Sequence, residues 1–543
     1  MTGGRRSRRA PSLPGDRDVT GALDAMTADE LRAFVSDVLD RLDDEPRSAL
    51  VDALIARAAR GTSGWRPPGP PRRIVDEVVR FVAAARRAGY GNPAEVDSYL
   101  RQGTTAFLAG GHAIARAIFE AILPPIADAE IDLGQHELVD EVLTVDGHQC
   151  AAQYVSSVYL TTPLEDRAAA LYEAMDAVQG FASLWEPLEQ IERVAPGPLA
   201  QLDVFLPRWV TYLEGQPPSE EKWGGGRDRW LREAVLRLEG VAGLERIARK
   251  TRKPEALRAW CDALVQRGDW GEALRAYDDA AQLVGKSHWR GEFLDGVALA
   301  AQELGRRDAA ERLQAAWLGA PSVVRLLRWL GAGTSAAAAL ATRAHEAIGR
   351  CPSRAGRQVG LLSVLTGDVP AAATLLAKAP GLGWSSEDHP GHVLFPAFAG
   401  LLAGGVRTTL AAELFRSLDE APREPSDMDW EDGDEGRPTL RTPSVAELIR
   451  AARPAAGIDA KGRKAMLEAM RAAAAKRVDG IVGNKRRAHY RHAATLLACC
   501  VEVAPAVGES QGVREWADEV RKTYSRFYAF QEECRRVLAL IAT

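Results

Sequence analysis

The chain has few cysteines, and its six form no Cys-x-x-Cys pair; only Cys499 and Cys500 are adjacent. That spacing excludes a disulfide framework and a structural zinc pattern, and leaves the thiols as small core residues of a reducing compartment. No run approaches the ~18 uninterrupted apolar residues of a membrane helix. Behind Arg5, Arg6, Arg8 and Arg9 there is no apolar stretch of the kind a secretory signal needs. The cytoplasm is therefore the expected compartment, with no membrane partner. Period-two alternation never persists for a useful length, so strands are not expected. Charge is nearly balanced, 69 basic against 74 acidic side chains for a net charge of -5. That excludes a polycation binding nucleic acid over its whole surface, so any such patch must be local.

What the chain has is enough apolar material for a large core, 46% of 543 residues against 26% charged, which excludes wholesale disorder. Its organising stretch is 257–321, where one helix-turn-helix pattern is written twice. The first copy sets Cys261 and Leu264 on one helix, turns at Gly268-Asp269, and sets Ala273, Tyr277 and Ala280 on the next. The second repeats the logic with Ala298, Ala301, Gly305 and Ala310. Small residues at fixed offsets around a glycine turn let two antiparallel helices approach closely, and a large ring fills the gap to the next hairpin. This is an eroded tetratricopeptide pattern. Further copies run through Gly103, Ala106, Gly110, Ala115, Phe119 and Ile122, ended by Pro124-Pro125, through Ser156, Tyr159, Ala168, Tyr172 and Met175, and through Gly360, Ser363, Gly367-Asp368, Ala372 and Leu376. The expected fold is all-α, a tetratricopeptide-like helical-repeat solenoid with an additional C-terminal helical block.

Composition divides the chain. Residues 1–20 are expected to be a disordered basic tail. A helical pair follows over 21–62, opened by a Thr27/Glu30 capping box and a stripe of Leu31, Phe34, Val35, Val38 and Leu39. Four prolines in 65–71 separate it from helical repeats over 72–215, where Asn92-Pro93 caps a helix. A linker at 216–228 leads to the tetratricopeptide-like repeats of 229–416. An acidic, Pro-rich linker spans 417–443, with nine carboxylates and one arginine in 419–435. The C-terminal block, 444–543, restarts at Ser444, capped by Glu447.

Three motifs resemble catalytic or metal sites. Gly508-Glu509-Ser510-Gln511-Gly512 has the letters of a nucleophile elbow, but a helix precedes it where that motif needs a strand. Gly331-Ala332-Gly333 with Ala336 resembles a dinucleotide fingerprint, but the residues before it have helical spacing and carry Arg325 and Arg328, which a buried strand would not. His389 and His392 lie beside Glu387 and Asp388 in a Pro-Gly loop, which fixes no metal geometry. His492 and Cys499 share a helix face about 10 Å apart, too far to chelate together. No catalytic residue, metal or cofactor is expected.

At the C-terminus, 484–494 (NKRRAHYRHAA) and 524–533 (YSRFYAFQEE) resemble the C-terminal helical region of bacterial SWIM zinc-finger proteins. The repeats at 257–321 are similar to that family's middle region. The finger's Cys-x-Cys and Cys-x-His are missing, so the resemblance implies the family's helical scaffold without its metal site.

The strongest chemical signal is charge. Between 461 and 491 there are ten cations, Lys461, Arg463, Lys464, Arg471, Lys476, Arg477, Lys485, Arg486, Arg487 and Arg491, against Glu468 and Asp479. Lys485, Arg486 and Arg487 are expected to open a helix, where the macrodipole disfavours cations unless an anion is bound. The expected function is a non-catalytic scaffold that binds a protein or peptide partner in a helical-repeat groove. The alternative is a nucleic-acid or phosphate-binding protein using 461–491, with His489 and Tyr490 as stacking groups and the acidic linker 419–435 as a mask.

Overall fold

The computed structural model describes residues 16–61, 63–136, 139–217, 225–333, 337–404, 408–423 and 438–541. Residues 1–15 of the expected tail, 218–224 of the first linker, 424–437 of the acidic linker, and Ala336 lie outside the described residues. The chain is all-helical, and a lone bridge between Tyr90 and Asp132 is the nearest approach to a strand among the described residues. Two compact units divide it, Met1–Leu244 and Glu245–Thr543.

One turn recurs in both units because its chemistry is local. After Pro93–Leu108, Gly110 donates to the Phe107 carbonyl at 3.0 Å and Gly111 to the Ala106 carbonyl at 2.8 Å. The same pair of bonds follows Pro254–Gln266, from Gly268 to Val265 and Asp269 to Leu264, and follows Arg290–Glu303, from Gly305 to Gln302 and Arg306 to Ala301. It returns after Gly356–Leu365, from Gly367 to Val364 and Asp368 to Ser363. Each glycine has φ between 63° and 84°, the left-handed region that closes a helix by satisfying its last carbonyls. Asp269 and Asp368 then accept from the N–H groups of Glu272 and Ala371 and so cap the returning helices.

In the first unit the Thr27/Glu30 capping box forms at the head of Ala28–Arg41. Two expectations need correction. A helix, Asp16–Ala25, already stands where the tail was expected to continue. Pro124 and Pro125 lie inside His112–Ala127 rather than ending it; each gives up an N–H bond to the carbonyl four residues back, so the surrounding packing, and not local propensity, carries the helix past them. Ring packing fills the core. Gly103 lies under Phe119, where a Cβ would meet Cε1 at 2.7 Å. Tyr159, Phe205 and Trp209 form a continuous aromatic row, with centroids 5.1 and 5.9 Å apart, and each fully buried ring contributes about 2–3 kcal/mol.

In the second unit the founding hairpins pack as Pro254–Gln266 with Trp270–Leu283 and Arg290–Glu303 with Ala309–Gly319. Tyr277 fills the space left by Gly296 on the neighbouring hairpin. Val323–Leu330 is a helix, but its arginines are not solvent-facing spacers. Arg325 and Arg328 are buried, 2.8 and 3.3 Å from the Asp295 carboxylate; that carboxylate lies on another helix, which no local pattern reveals. A single apolar core runs from Trp317 through Leu394 and Met470 to Val537, so the C-terminal block shares its interior with the helices before the acidic linker. Glu502 reinforces this union. From Tyr490–Val503 it accepts the N–H groups of Thr409, Leu410 and Ala411 at 2.5, 3.1 and 2.7 Å, capping Leu410–Arg416.

Candidate functional site

The basic run 461–491 is not one face. Helix Ala460–Val478 passes into a π-helical segment, Asp479–Gly483, anchored by buried Ile481 and Val482. Lys485 then donates its N–H to the Val482 carbonyl and Arg486 to the Ile481 carbonyl, both at 3.0 Å. This is the recurring helix-closing turn again, with a lysine at φ 57° where the hairpins place glycine. Asn484 braces it by donating to the Gly480 carbonyl at 2.8 Å. A 3-10 turn, Arg487–His489, leads into Tyr490–Val503. The helix therefore opens at Tyr490, not Lys485, because the left-handed Lys485 interrupts the chain first.

Five of the ten cations are structural. Lys476 donates to the carbonyls of Ala377 and Ala379 at 2.7 and 3.3 Å, and Arg477 to that of Gly381 at 3.2 Å, closing the end of Val369–Lys378. Arg463 donates to the Ile458 carbonyl, Lys464 pairs with Glu509 at 2.7 Å, and Arg471 stacks on Trp516 at 5.0 Å. Lys485, Arg486, Arg487, His489 and Arg491 are exposed. Among the described residues none of their side chains forms a salt bridge or hydrogen bond. Tyr490 is excluded as a stacking group: it is 3% exposed, with its ring edge-on to Phe530 at 5.9 Å.

Behind the turn the histidines are held neutral. Burial pushes His492 down to about 4, helped by the charges of Arg477, His489 and His392. His389 is buried, donates from Nε2 to the Pro380 carbonyl at 2.8 Å and accepts the Gly391 N–H on Nδ1 at 3.0 Å. Both its nitrogens are used, which leaves no lone pair for a metal. Among the described residues no group of three His, Cys, Asp or Glu is placed to hold a metal ion. Ser510 opens the helix Ser510–Thr523 after Gly508, with helices on both sides. The strand-to-helix geometry of a nucleophile elbow is not formed there.

Sequence reasoning missed what lies against this surface from elsewhere. Trp384 and Arg357 lie far back in the chain, and nothing in spacing joins them to His492. The ring contact of Trp384 with His492, centroids 5.9 Å apart, is tertiary. No protein-family model matches the chain, and no curated protein matches it.

Proposed function

We propose that the chain is a non-catalytic binding scaffold, a tetratricopeptide-like helical solenoid of the cytoplasm, which docks an acidic segment of a partner protein on the turn at 485–491. The recurring hairpin turns support the repeat reading, and five buried cysteines, their thiols pushed up by burial, fit a reducing compartment. The likeness of 484–494 to the helical region of bacterial SWIM proteins is part of the same reading.

The observation that carries it is Lys485. A lysine held at φ 57° costs backbone energy that glycine would not. It stands beside Arg486, Arg487 and Arg491, which the fold leaves to solvent while committing their neighbours to packing. With Tyr490 buried, His489 alone of the two expected stacking groups is exposed, less than the succession of aromatic platforms on which single-stranded nucleic acid stacks.

The test is capture from nuclease-treated lysate by the wild type and by a variant carrying Lys485→Glu, Arg486→Glu and Arg487→Glu. A protein retained by the wild type and lost by the variant supports the reading. Capture that vanishes with nuclease gives the nucleic-acid alternative its place; equal capture by both baits removes the turn from the function.

A further inference from the structure

We propose that Trp384, Arg357, Arg477, His392 and His492 form a half-buried subsite for one tetrahedral oxyanion, inorganic phosphate or the terminal group of a small phosphomonoester. The subsite stands independently of partner docking at 485–491.

Five elements bring these groups together. Trp384 lies on the loop between Val369–Lys378 and Gly391–Ala403; His392 is the second residue of the latter helix and Arg357 the second of Gly356–Leu365. Arg477 ends Ala460–Val478, and His492 is in the first turn of Tyr490–Val503. The Arg477 guanidinium lies 5.4 Å from the Trp384 ring centroid, and Arg357 holds the Trp384 and Ser385 carbonyls at 3.0 and 2.7 Å. His389 stacks on the indole at 5.4 Å. Gly391 is pressed so close that a Cβ would meet Trp384 Cε2, the carbon bonded to Nε1, at 2.8 Å.

Three buried nitrogens in this cluster have no acceptor: Arg357 Nε, Trp384 Nε1 and Arg477 Nε. All three are donors, and buried donors are satisfied almost everywhere in folded proteins. Two cations stand with them: burial lowers Arg357 and Arg477, the direction that desolvated positive charge produces, while burial holds the imidazoles of His389, His392 and His492 neutral. The nearby carboxylates, Glu387 and Asp388, are on the exposed side of the loop, and only Glu387 acts on Arg357. An oxyanion brings several acceptor atoms and negative charge without a donor, which is what guanidinium and indole N–H groups select. His392 is exposed, and Arg357, Arg477 and His492 are half-buried, so the cluster meets solvent on the His392 side.

The test reads the indole N–H directly. The chain has 13 tryptophans, and Trp384→Phe keeps the ring while deleting the donor, which assigns its resonance in a transverse-relaxation-optimised proton–nitrogen spectrum. Titration with inorganic phosphate should shift that resonance saturably and leave remote indoles in place. Trp384→Phe should weaken phosphate binding about tenfold, as loss of a hydrogen bond to a charged group does, and Arg357→Gln should weaken it further. The remaining indole resonances report whether each variant is folded. Glycerol phosphate, titrated alongside, separates a phosphomonoester from free phosphate by which binds more tightly. A Trp384 resonance that stays fixed, phosphate binding unchanged in Trp384→Phe, or an equal response to acetate would overturn the proposal. Charge reversal at Lys485 and Arg487 should leave phosphate binding in place, which separates failure here from failure of the docking reading.

Discussion

The ammonium of Lys476 donates to the carbonyl oxygen of Ala377 at 2.7 Å, so a cation that looks like surface charge in the sequence is a staple between two helices. Lys476→Met keeps much of the aliphatic stem and deletes the donor. It should lower the stability of the second unit by about 1 kcal/mol and leave acidic-peptide affinity unchanged. Chemical denaturation and a binding titration on the same variant check both halves.

Lys485→Gly should do the reverse. Glycine relieves the left-handed strain at φ 57° but gives up some unfolded-chain entropy, for a net gain of about 0.5–1 kcal/mol. Binding of an acidic peptide should weaken. A more stable variant that binds less well is the signature of a strained residue kept for contact, and the denaturation midpoint together with the dissociation constant reads it.

Glu502→Gln should destabilise the second unit by about 1–2 kcal/mol, because three N–H groups of Thr409, Leu410 and Ala411 lose a charged acceptor at a helix start. Hydrogen exchange should rise at 409–411 before it rises at the hairpin turns.

Stability should fall as pH drops from about 6.5 to about 4. Folded His492 takes its proton only at about 4, against an ordinary 6.5, so in that window the unfolded chain binds a proton that the folded chain refuses. Arg477, His489 and His392 face it with like charge and hold it there. Burial shifts His389 and His392 in the same direction. The full gap at His492 corresponds to about 3 kcal/mol, and His492→Gln should remove that share of the slope. If His492→Gln unfolds with the wild-type pH profile, the imidazole is not held neutral.

How much of this was legible depended on distance along the chain. The Thr27/Glu30 capping box, the Ser444 cap on the Glu447 N–H, and the Gly-Asp turns at 268 and 367 are local chemistry, and each forms as the spacing predicts. The burial of Arg325 and Arg328 was invisible because the balancing Asp295 lies on another helix. Tyr490 read as a free ring since its partner, Phe530, comes from a later helix. The Lys485 turn was misplaced because glycine marks the hairpin turns at 110, 268, 305 and 367, whereas here, as at Ala129 and Arg453, a residue with a side chain takes the left-handed position and leaves no such mark. The Trp384 cluster draws on five elements, so no single stretch announces it.

Docking of an acidic segment at 485–491 is read out by fluorescence anisotropy of a labelled polyglutamate peptide against the wild type and the Lys485→Glu, Arg486→Glu, Arg487→Glu variant. Binding should be saturable, weaken with added salt, fall at least tenfold in the variant, survive in Trp384→Phe, and be no weaker than binding of a single-stranded RNA of equal charge. Equal affinity of wild type and variant, or no binding to the wild type at low salt, would contradict it.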